Sequence, residues 1–185
     1  LIDGTSSPEG FFLRGKLTRS NFEVNFSSHG HNLRHTGFAL DRSLQGTQMN
    51  VTLALLADFA NKSADGKLNI LGAFDRIFTE RFPAMHPEKK LVIRFEMHPA
   101  EITQKKSIQI QLRDETGKQI FELSGDMSVQ PPQGIQTSGE MIHIDQILAI
   151  SNLVLERAGS YEFVIMVNGE VKSFVPFKVV LRQRA

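Results

Sequence analysis

The 185-residue chain contains no cysteine and no tryptophan, and it has a single tyrosine beside 14 phenylalanines. The absence of cysteine excludes disulfides, thiolate metal ligands, a cysteine nucleophile and thiol redox chemistry. It also favours a reducing compartment, so we expect a cytoplasmic protein. Without tryptophan, and with one tyrosine, the chain has little material for surfaces that stack on bases or sugars, whereas phenylalanine belongs mainly to hydrophobic cores.

The chain also lacks an excess of charge of either sign and a long hydrophobic run. Its 21 Lys and Arg residues nearly balance 20 Asp and Glu residues, so the formal net charge is +1. No long-range field therefore favours nucleic acid or an anionic membrane surface. No apolar run approaches the roughly 20 residues that span a bilayer, and the first residues do not resemble a signal peptide. We expect neither a nucleic-acid partner nor a membrane association.

Composition divides the chain at Met49, and the length suits one domain with an appendage. Residues 1–48 are rich in Ser, Gly, His, Asn and Arg and show no sustained apolar period. We expect them to form a poorly ordered N-terminal extension, either a genuine flexible arm or a remnant of cloning or upstream translation. A short strand around "FEVNF" is its one candidate element.

From Met49 onwards, nearly every apolar segment alternates with period two, which is typical of strands with one face in a core and one in water. The segment "LVIRFEMH" directs Leu91, Ile93, Phe95 and Met97 to one face and Val92, Arg94, Glu96 and His98 to the other. The segment "SIQIQLR" likewise directs Ile108, Ile110 and Leu112 inward. Because no stretch has a helical period, residues 49–185 predict an all-β domain. We expect a two-sheet antiparallel β-sandwich, immunoglobulin-like, with about eight strands.

Turn residues between these segments predict hairpins. Asp65-Gly66 in "ADGKLNILGAF" predicts a first hairpin, and Gly72 predicts a bulge or a close approach between sheets. A single glycine followed by a strand does not make a phosphate-binding loop. "DETGK" predicts a second hairpin, and Asn168-Gly169 a type I′ turn. Pro176 cannot donate to a ladder, so we expect it at an edge position or a bulge.

The single tyrosine lies at a corner of the predicted sandwich. Tyr161 follows Ala158-Gly159 and begins a strand, as does the tyrosine whose hydroxyl bonds back to the chain at the corner of many sandwiches. A core tyrosine without that bond is an equal alternative.

Two ends of the domain carry a family resemblance. "MNVTLALLADFANKSADGKLNILGAFDRI" leads a strand ending in Leu-Ala-Asp-x-Ala through a short loop into Asp-Gly-Lys-Leu-Asn-Ile-Leu-Gly, and "AGSYEFVIMVNGEVKSFVPFKVV" places Gly-x-Tyr-x-Phe before a hairpin with an x-Gly-Glu tip. Residues 49–185 thereby resemble a family of small uncharacterised bacterial proteins, a domain of unknown function. The resemblance implies a β-sandwich and a bacterial source, and it implies no activity, cofactor or catalytic residue.

Metal sites are not predicted. Calcium binding to loops of the sandwich would use carboxylates, but the candidates are scattered and form no D-x-D or D-x-N-x-D run. They are Asp58, Asp65, Asp75, Asp114, Glu115 and Asp126. Asp58 is also a candidate cap that accepts backbone amides of the loop "FANKSADG". In the extension, His29, His31 and His35 are closely spaced, but no carboxylate or scaffold supports a physiological metal site.

Catalytic residues are not predicted either. "HID" places His143 and Asp145 on the same face of a strand, roughly 6–7 Å apart. No serine occupies a nucleophile elbow and nothing marks an oxyanion hole, so we interpret them as a surface pair. His98 on a polar strand face and His86 in the loop "PAMHPEKK" have no evident partner.

Two polar features complete the candidates. The pairs Lys89-Lys90 and Lys105-Lys106 are interpreted as solvated loop charges or as lysines that protect a strand edge, since no aromatic residues are interleaved for base stacking. The segment "PPQGIQTSGEM" is a polar connection, and it is either a binding loop or a plain linker between sheets.

We therefore predict a non-catalytic binding or interaction module with no cofactor, whose protein partner would contact the edge strands or the 130–141 loop. Open edges also make a homo-oligomer a candidate state. The alternative is a small-molecule or Ca²⁺-responsive sandwich, followed by a hydrolase whose site a single sequence does not reveal.

Overall fold

A computed structural model describes residues 11–16, 26–27, 49–129 and 139–182. These residues form a β-sandwich of strands, with one turn of 3₁₀ helix at Pro99–Glu101. Within this part of the chain, no helix has the length and apolarity that crossing a membrane requires. The strands are β1 Phe11–Lys16, β2 Phe26–Ser27, β3 Asn50–Lys62, β4 Leu68–Phe74, β5 Arg76–Thr79, β6 Ala84–His86, β7 Lys89–Met97, β8 Lys106–Asp114, β9 Gln119–Met127, β10 Ile142–Ile150, β11 Leu153–Leu155, β12 Gly159–Val167 and β13 Glu170–Leu181.

Two sheets pack face to face, and a two-stranded ribbon joins them. The six-stranded sheet has the order β1-β9-β8-β12-β13-β5, the five-stranded sheet has the order β2-β10-β7-β3-β4, and the ribbon pairs β11 with β6. The pairs are antiparallel except for β13 with β5, which run parallel. The prediction of a two-sheet β-sandwich is confirmed.

The alternation of β7 and β8 builds the main core between the sheets. Leu91, Ile93, Phe95 and Met97 of β7 are at most 1% exposed, and they face Ile108, Ile110 and Leu112 of β8 in one cluster. Both inward sets are those that the period-two pattern predicts. An aromatic stack of Tyr161, Phe163 and Phe177, with ring centroids 5.6 and 5.7 Å apart, adds the large apolar surfaces that stabilise such cores.

The strand count differs from the prediction of about eight, because residues 49–129 and 139–182, the described part of the domain, contain eleven strands. The predicted single strand "KLNILGAFDRIF" divides at Asp75 into β4 and β5, which belong to different sheets. The carbonyl of Asp75 accepts a hydrogen bond from the Lys178 backbone N–H at 2.8 Å, and this bond starts the parallel pairing with β13. The ribbon strands β6 and β11 have three residues each and are too short to show a period.

The local turn predictions are confirmed. Gly66 has a φ of 81° and its N–H donates to the Ser63 carbonyl at 2.9 Å, which closes the β3–β4 hairpin. Asn168 and Gly169 both have positive φ, at 52° and 81°, as a type I′ turn requires. The segment "DETGK" joins β8 to β9.

Pro176 lies where β13 is locally an edge strand, although β13 as a whole is internal. β5 pairs only with Lys178 and the residues after it. Backbone N–H groups two residues apart point to the same side of a strand, so the ring nitrogen of Pro176 faces the open side next to Lys178. The residue that cannot donate therefore occupies a position without a strand to accept.

Tyr161 forms the hydrogen bond of a corner tyrosine, which was one of the two alternatives for this residue. Its hydroxyl donates to the Arg157 carbonyl at 2.8 Å, and its ring stacks on Phe177. Burial is the main reason that the pKa of Tyr161 is raised, so the hydroxyl keeps its proton and remains a donor. The bond fixes the chain reversal before β12.

We expect Tyr161→Phe to lower the free energy of unfolding by about 1 kcal/mol, because the part-buried hydrogen bond to the Arg157 carbonyl is lost while the ring stack remains. Urea unfolding measures the effect as a lower midpoint with an unchanged slope. An unchanged midpoint would show that the corner bond contributes nothing.

Asp114 organises the β8–β9 turn. Its Oδ1 accepts hydrogen bonds from the Thr116 hydroxyl at 2.6 Å and from the backbone N–H groups of Thr116 and Lys118, and its Oδ2 accepts one from Arg157. The Thr116 hydroxyl first, and then these backbone groups and the Arg157 cation, hold the pKa of Asp114 below its usual value of 3.8. The ionised carboxylate therefore stabilises the folded state.

A carboxyl with a lowered folded-state pKa stabilises above its unfolded pKa and loses that contribution as the pH falls through the folded pKa. We therefore expect Asp114→Asn to be less stable than the wild type at neutral pH. The difference should shrink as the pH falls below 3.8 and through the lowered folded-state pKa of Asp114. Chemical denaturation at several pH values measures it, and a difference that stays constant with pH would contradict the assignment.

Candidate functional site

The β3–β4 hairpin bends back over the outer face of the five-stranded sheet. Leu53 pairs with Arg94, and Arg94 pairs with Asp145 on the next strand. From Leu53 to Lys62 a straight strand would run roughly 30 Å. The ammonium of Lys62 nevertheless lies 3.7 Å from the Asp145 carboxylate. The hairpin tip must therefore reverse direction between these residues.

We call the tip, residues 59–71, the flap. Its inner side carries Ala60, Lys62, Leu68 and Ile70, which are buried or half-buried, and its outer side carries the exposed Phe59, Asn61, Asn69 and Leu71. This alternation is that of a two-stranded ribbon with one face on a surface and one in water.

The flap covers an apolar strip on the outer face of the sheet, which consists of Leu53, Leu55, Val92 and Ile147. Val92 is completely buried and Ile147 is 5% exposed. The expectation that the second face of "LVIRFEMH" lies in water is therefore wrong for Val92, because the flap provides a small second core above it.

Asp145 lies at one end of the strip and has two cationic partners. Arg94 donates to both carboxylate oxygens, from Nε at 2.6 Å and from a terminal nitrogen at 3.2 Å, and Lys62 lies beyond. The side chains of Asp145 and Lys62 are only 8% and 5% exposed. Hydrogen bonding to Asp145 is the main reason that the pKa of Arg94 is raised, so the guanidinium stays charged. The two-point contact fixes the carboxylate in place.

His143 and Asp145 share a strand face, as predicted, but they are not a surface pair. Asp145 is buried under the flap, whereas His143 is exposed and its Nε2 lies 3.1 Å from a Glu96 oxygen on β7. The imidazole and the Asp145 carboxylate thus have separate partners on β7. The arrangement does not orient a histidine as a general base.

The bend of the flap lies at Asp58 and Gly72, which are opposite each other in the hairpin. Gly72 has a φ of 68°, and a Cβ there would lie 2.7 Å from Oδ2 of Asp58. The close approach at Gly72 is therefore to the neighbouring strand of the hairpin, not between the sheets as predicted, and only glycine tolerates it. The other oxygen of Asp58 accepts a hydrogen bond from Lys89 at 2.8 Å, and Lys89 also lies over the Phe74 ring.

The prediction that Asp58 caps the following loop is wrong, because Asp58 is inside β3 and its carboxylate binds Lys89. The loop is capped by Ser63. Its hydroxyl accepts from the Lys67 N–H at 3.1 Å and donates to the Asp65 carboxylate. Extension of β3 to Lys62 leaves only residues 63–67 for the turn.

The other acidic candidates stay apart, each with its own partner. Asp65 binds Lys67, and hydrogen bonds from Lys67 and then Ser63 lower the pKa of Asp65 to about 2. The remaining pairs are Asp75 with Arg76, Glu115 with the Ser160 N–H, and Asp126 with Lys105. In the described part of the chain, no three acidic or histidine side chains come together as metal ligands would.

The two lysine pairs are not free solvated charges. Lys90 binds Glu88, and Lys106 is 4% exposed and binds Glu101, which is 1% exposed. Gln104 also accepts from Lys106 at 3.0 Å. The solvated-loop interpretation is therefore wrong for Lys106, whose ammonium neutralises a buried carboxylate beside the 3₁₀ turn.

The remaining histidines have structural positions. His86 belongs to β6 rather than to a loop, and burial is the main reason that its pKa is lowered. His98 caps the 3₁₀ turn by accepting from the Ala100 N–H at 3.2 Å. The candidates His29, His31 and His35, most of "FEVNF" and residues 130–138 of the predicted binding loop lie outside the described residues.

A second feature of the flap is its outer edge, which no other described strand covers. β4 is the outermost strand of its sheet and contains neither a charged residue nor a proline. Leu71 is 70% exposed, and its cross-strand neighbour Phe59 is 49% exposed. Because Lys67 directs its carbonyl to Ser63, the residue that follows β3, Leu68 and Ile70 direct their backbone groups away from β3.

The partners of Asp145 were missed by the sequence reasoning. Ala60 and Lys62 continue the alternation of β3, and this would have indicated a longer strand with both residues on one face. Arg94 and Asp145 were placed on polar strand faces, but the pairing of β7 with β10 is not local information.

Asp145→Asn should lower the free energy of unfolding by about 2 kcal/mol, because two charge-assisted bonds weaken around a buried group. His143→Ala, on the same strand face but exposed, should change it by no more than about 0.5 kcal/mol. Urea midpoints of both variants test the contrast. Equal effects would contradict the assignment of Asp145 as a buried residue and His143 as an exposed one.

Comparison with known proteins comes from sequence and from fold. A search of the curated proteins finds no match. Among solved structures, the chain is similar to Pseudomonas fluorescens alkylpurine DNA glycosylase AlkC bound to DNA containing an abasic site analog, at 13% identity and a TM-score of 0.40. The match covers 72% of this chain and 31% of the glycosylase. Over residues 52–180 the sequence matches the profile of a family of unknown function, DUF6941. The chain therefore belongs to this family.

Proposed function

We propose that the protein is a non-catalytic interaction module that binds a protein partner along the open edge of β4 on the flap. The observation that carries the proposal is the combination of an unprotected edge strand with an exposed apolar pair, Phe59 and Leu71, beside it. An extended segment that adds to such an edge gains main-chain hydrogen bonds and a contact for its side chains.

The contrast with the second open edge supports this choice. Among the described residues, no strand pairs with the side of β13 opposite β12 before Lys178. This stretch contains Pro176, and Lys172 pairs with Glu170 at its start. Proline and lysine are devices by which natural sheets prevent unwanted pairing. β4 has neither between Leu68 and Phe74. A surface that is left unprotected while its equivalent is protected favours a binding role.

The chemistry of the outer face is in accord with binding rather than catalysis. Asp145 is held between Arg94 and Lys62, and His143 is engaged with Glu96. The two cations fix the Asp145 carboxylate in place, and we assign it a structural role. The absence of cysteine supports a location in a reducing compartment, and we place the module in the bacterial cytoplasm.

Leu71→Lys should reduce partner binding about tenfold or more, because it introduces a charge at the apolar centre of the proposed contact. Affinity capture from a bacterial lysate, with quantitative mass spectrometry and titration of the captured protein, measures the loss. The variant should remain as stable as the wild type within about 0.5 kcal/mol, since Leu71 is exposed.

Phe174→Lys is the matched control. Phe174 is 54% exposed and lies on β13, so its replacement by lysine adds the same charge at the protected edge. The proposal requires that only the Leu71 variant loses the partner. Equal retention of the partner by both variants would place the contact elsewhere.

A further inference from the structure

The flap is held together by bonds that do not involve the sheet below. The Ser63 N–H donates to the Lys67 carbonyl, the Gly66 N–H donates to the Ser63 carbonyl, and Asn69 donates to Asn61 at 3.0 Å across the outer side. Together with the pairing of β3 and β4, these bonds make the hairpin tip a self-contained element. It can therefore move as one piece.

The contacts between flap and sheet are few. Ala60 is buried, but Leu68 and Ile70 are only half-buried, and Lys62 reaches Asp145 across the gap. The main core, in contrast, contains a continuous cluster of side chains from both sheets. Segments with few buried apolar contacts belong to the least stable parts of a fold.

Asp145 remains paired without the flap. Arg94 belongs to the sheet itself and contacts both carboxylate oxygens, whereas Lys62 is the more distant cation at 3.7 Å. Displacement of the flap would transfer the Lys62 ammonium to water and leave the carboxylate with its guanidinium. No uncompensated buried charge results, so the usual penalty for breaking a buried ion pair is avoided.

The bend is also concentrated at one place. Asp58 and Gly72 face each other there, and the positive φ and close approach at Gly72 mean that a residue with a Cβ does not fit the closed geometry. A position that only glycine can occupy in the bent hairpin, and that many residues can occupy in a straighter one, has the properties of a hinge.

We propose that the flap is a hinged cover, which opens as a unit about Asp58 and Gly72 while both sheets stay folded, and thereby uncovers the strip of Leu53, Leu55, Val92 and Ile147. The closed state is the one described above, with the flap itself as the occupant of the strip. This inference does not depend on the partner contact proposed for the outer edge of β4.

The lack of native cysteine makes single introduced thiols a clean measurement of opening. Val92→Cys places a thiol under the flap, and Val179→Cys, at a site that is 2% exposed, places one in the main core. Val171→Cys, where the side chain is 46% exposed, gives the rate without protection. The full chain is labelled with a thiol reagent under native conditions, and the three rates are compared.

We expect the thiol at position 92 to react at least about tenfold faster than that at 179, since local opening requires less free energy than global unfolding. Ile147→Cys, under the same flap, provides a second site if the Val92 variant does not fold. Equal rates at the covered and main-core sites would overturn the proposal.

Two substitutions in the Val92→Cys background test the contact of Lys62 with Asp145 and the hinge at Gly72. Lys62→Met should raise the labelling rate about two- to fivefold by removing the contact to Asp145, while Lys67→Met on the exposed turn should not. Gly72→Ala should raise the rate relative to the core site. Gly117→Ala, which strains a turn with no atom within 4 Å of the added Cβ, should leave that ratio unchanged.

The position-specific contrasts decide the outcome. An increase confined to the Lys62 and Gly72 variants supports a hinged cover. If the control substitutions change the ratio equally, labelling reflects general loosening of the chain and the proposal fails. Neither result depends on whether Leu71 binds a partner.

Discussion

Strand β7 carries apolar residues on both faces, and this constraint shapes the rest of the structure. Its inward residues, such as Leu91 and Phe95, are covered by the six-stranded sheet, but Val92 on the opposite face also has to leave water. A two-layer sandwich has no further layer that could cover that outer face of β7. The chain meets the requirement by returning the tip of the β3–β4 hairpin over the outer face, which adds a partial third layer.

The third layer packs against polar groups of the sheet as well as apolar ones. Asp145 lies next to the strip, and its burial is tolerated because Arg94 and Lys62 supply opposite charge from two directions. The same principle recurs at Glu101, which is buried beside Lys106. In both places a lysine whose side chain is only 5% exposed brings its ammonium to a buried carboxylate and neutralises it.

Local chemistry explains why much of the fold could be predicted. The inward set of β7, the Asp65-Gly66 and Asn168-Gly169 turns, and the position of Pro176 all depend on residues adjacent in sequence. The flap depends instead on contacts between β3 and β10, which sequence alternation cannot reveal. The predictions that Val92 faces solvent and that Asp145 lies on the surface were both wrong for this reason. Gly72 indicated an irregularity in the strand, but a glycine alone does not predict the direction in which the chain bends.

The junction at Asp75 has a consequence for where any ligand can be held. A single residue separates β4 in one sheet from β5 in the other, so the two layers are joined at this side by the shortest connection that extended chain allows. Lipid- or drug-sized molecules that enter β-sandwiches between the layers need one side to spread apart. Here the junction at Asp75 holds that side closed, so a molecule of this size would have to enter from another side.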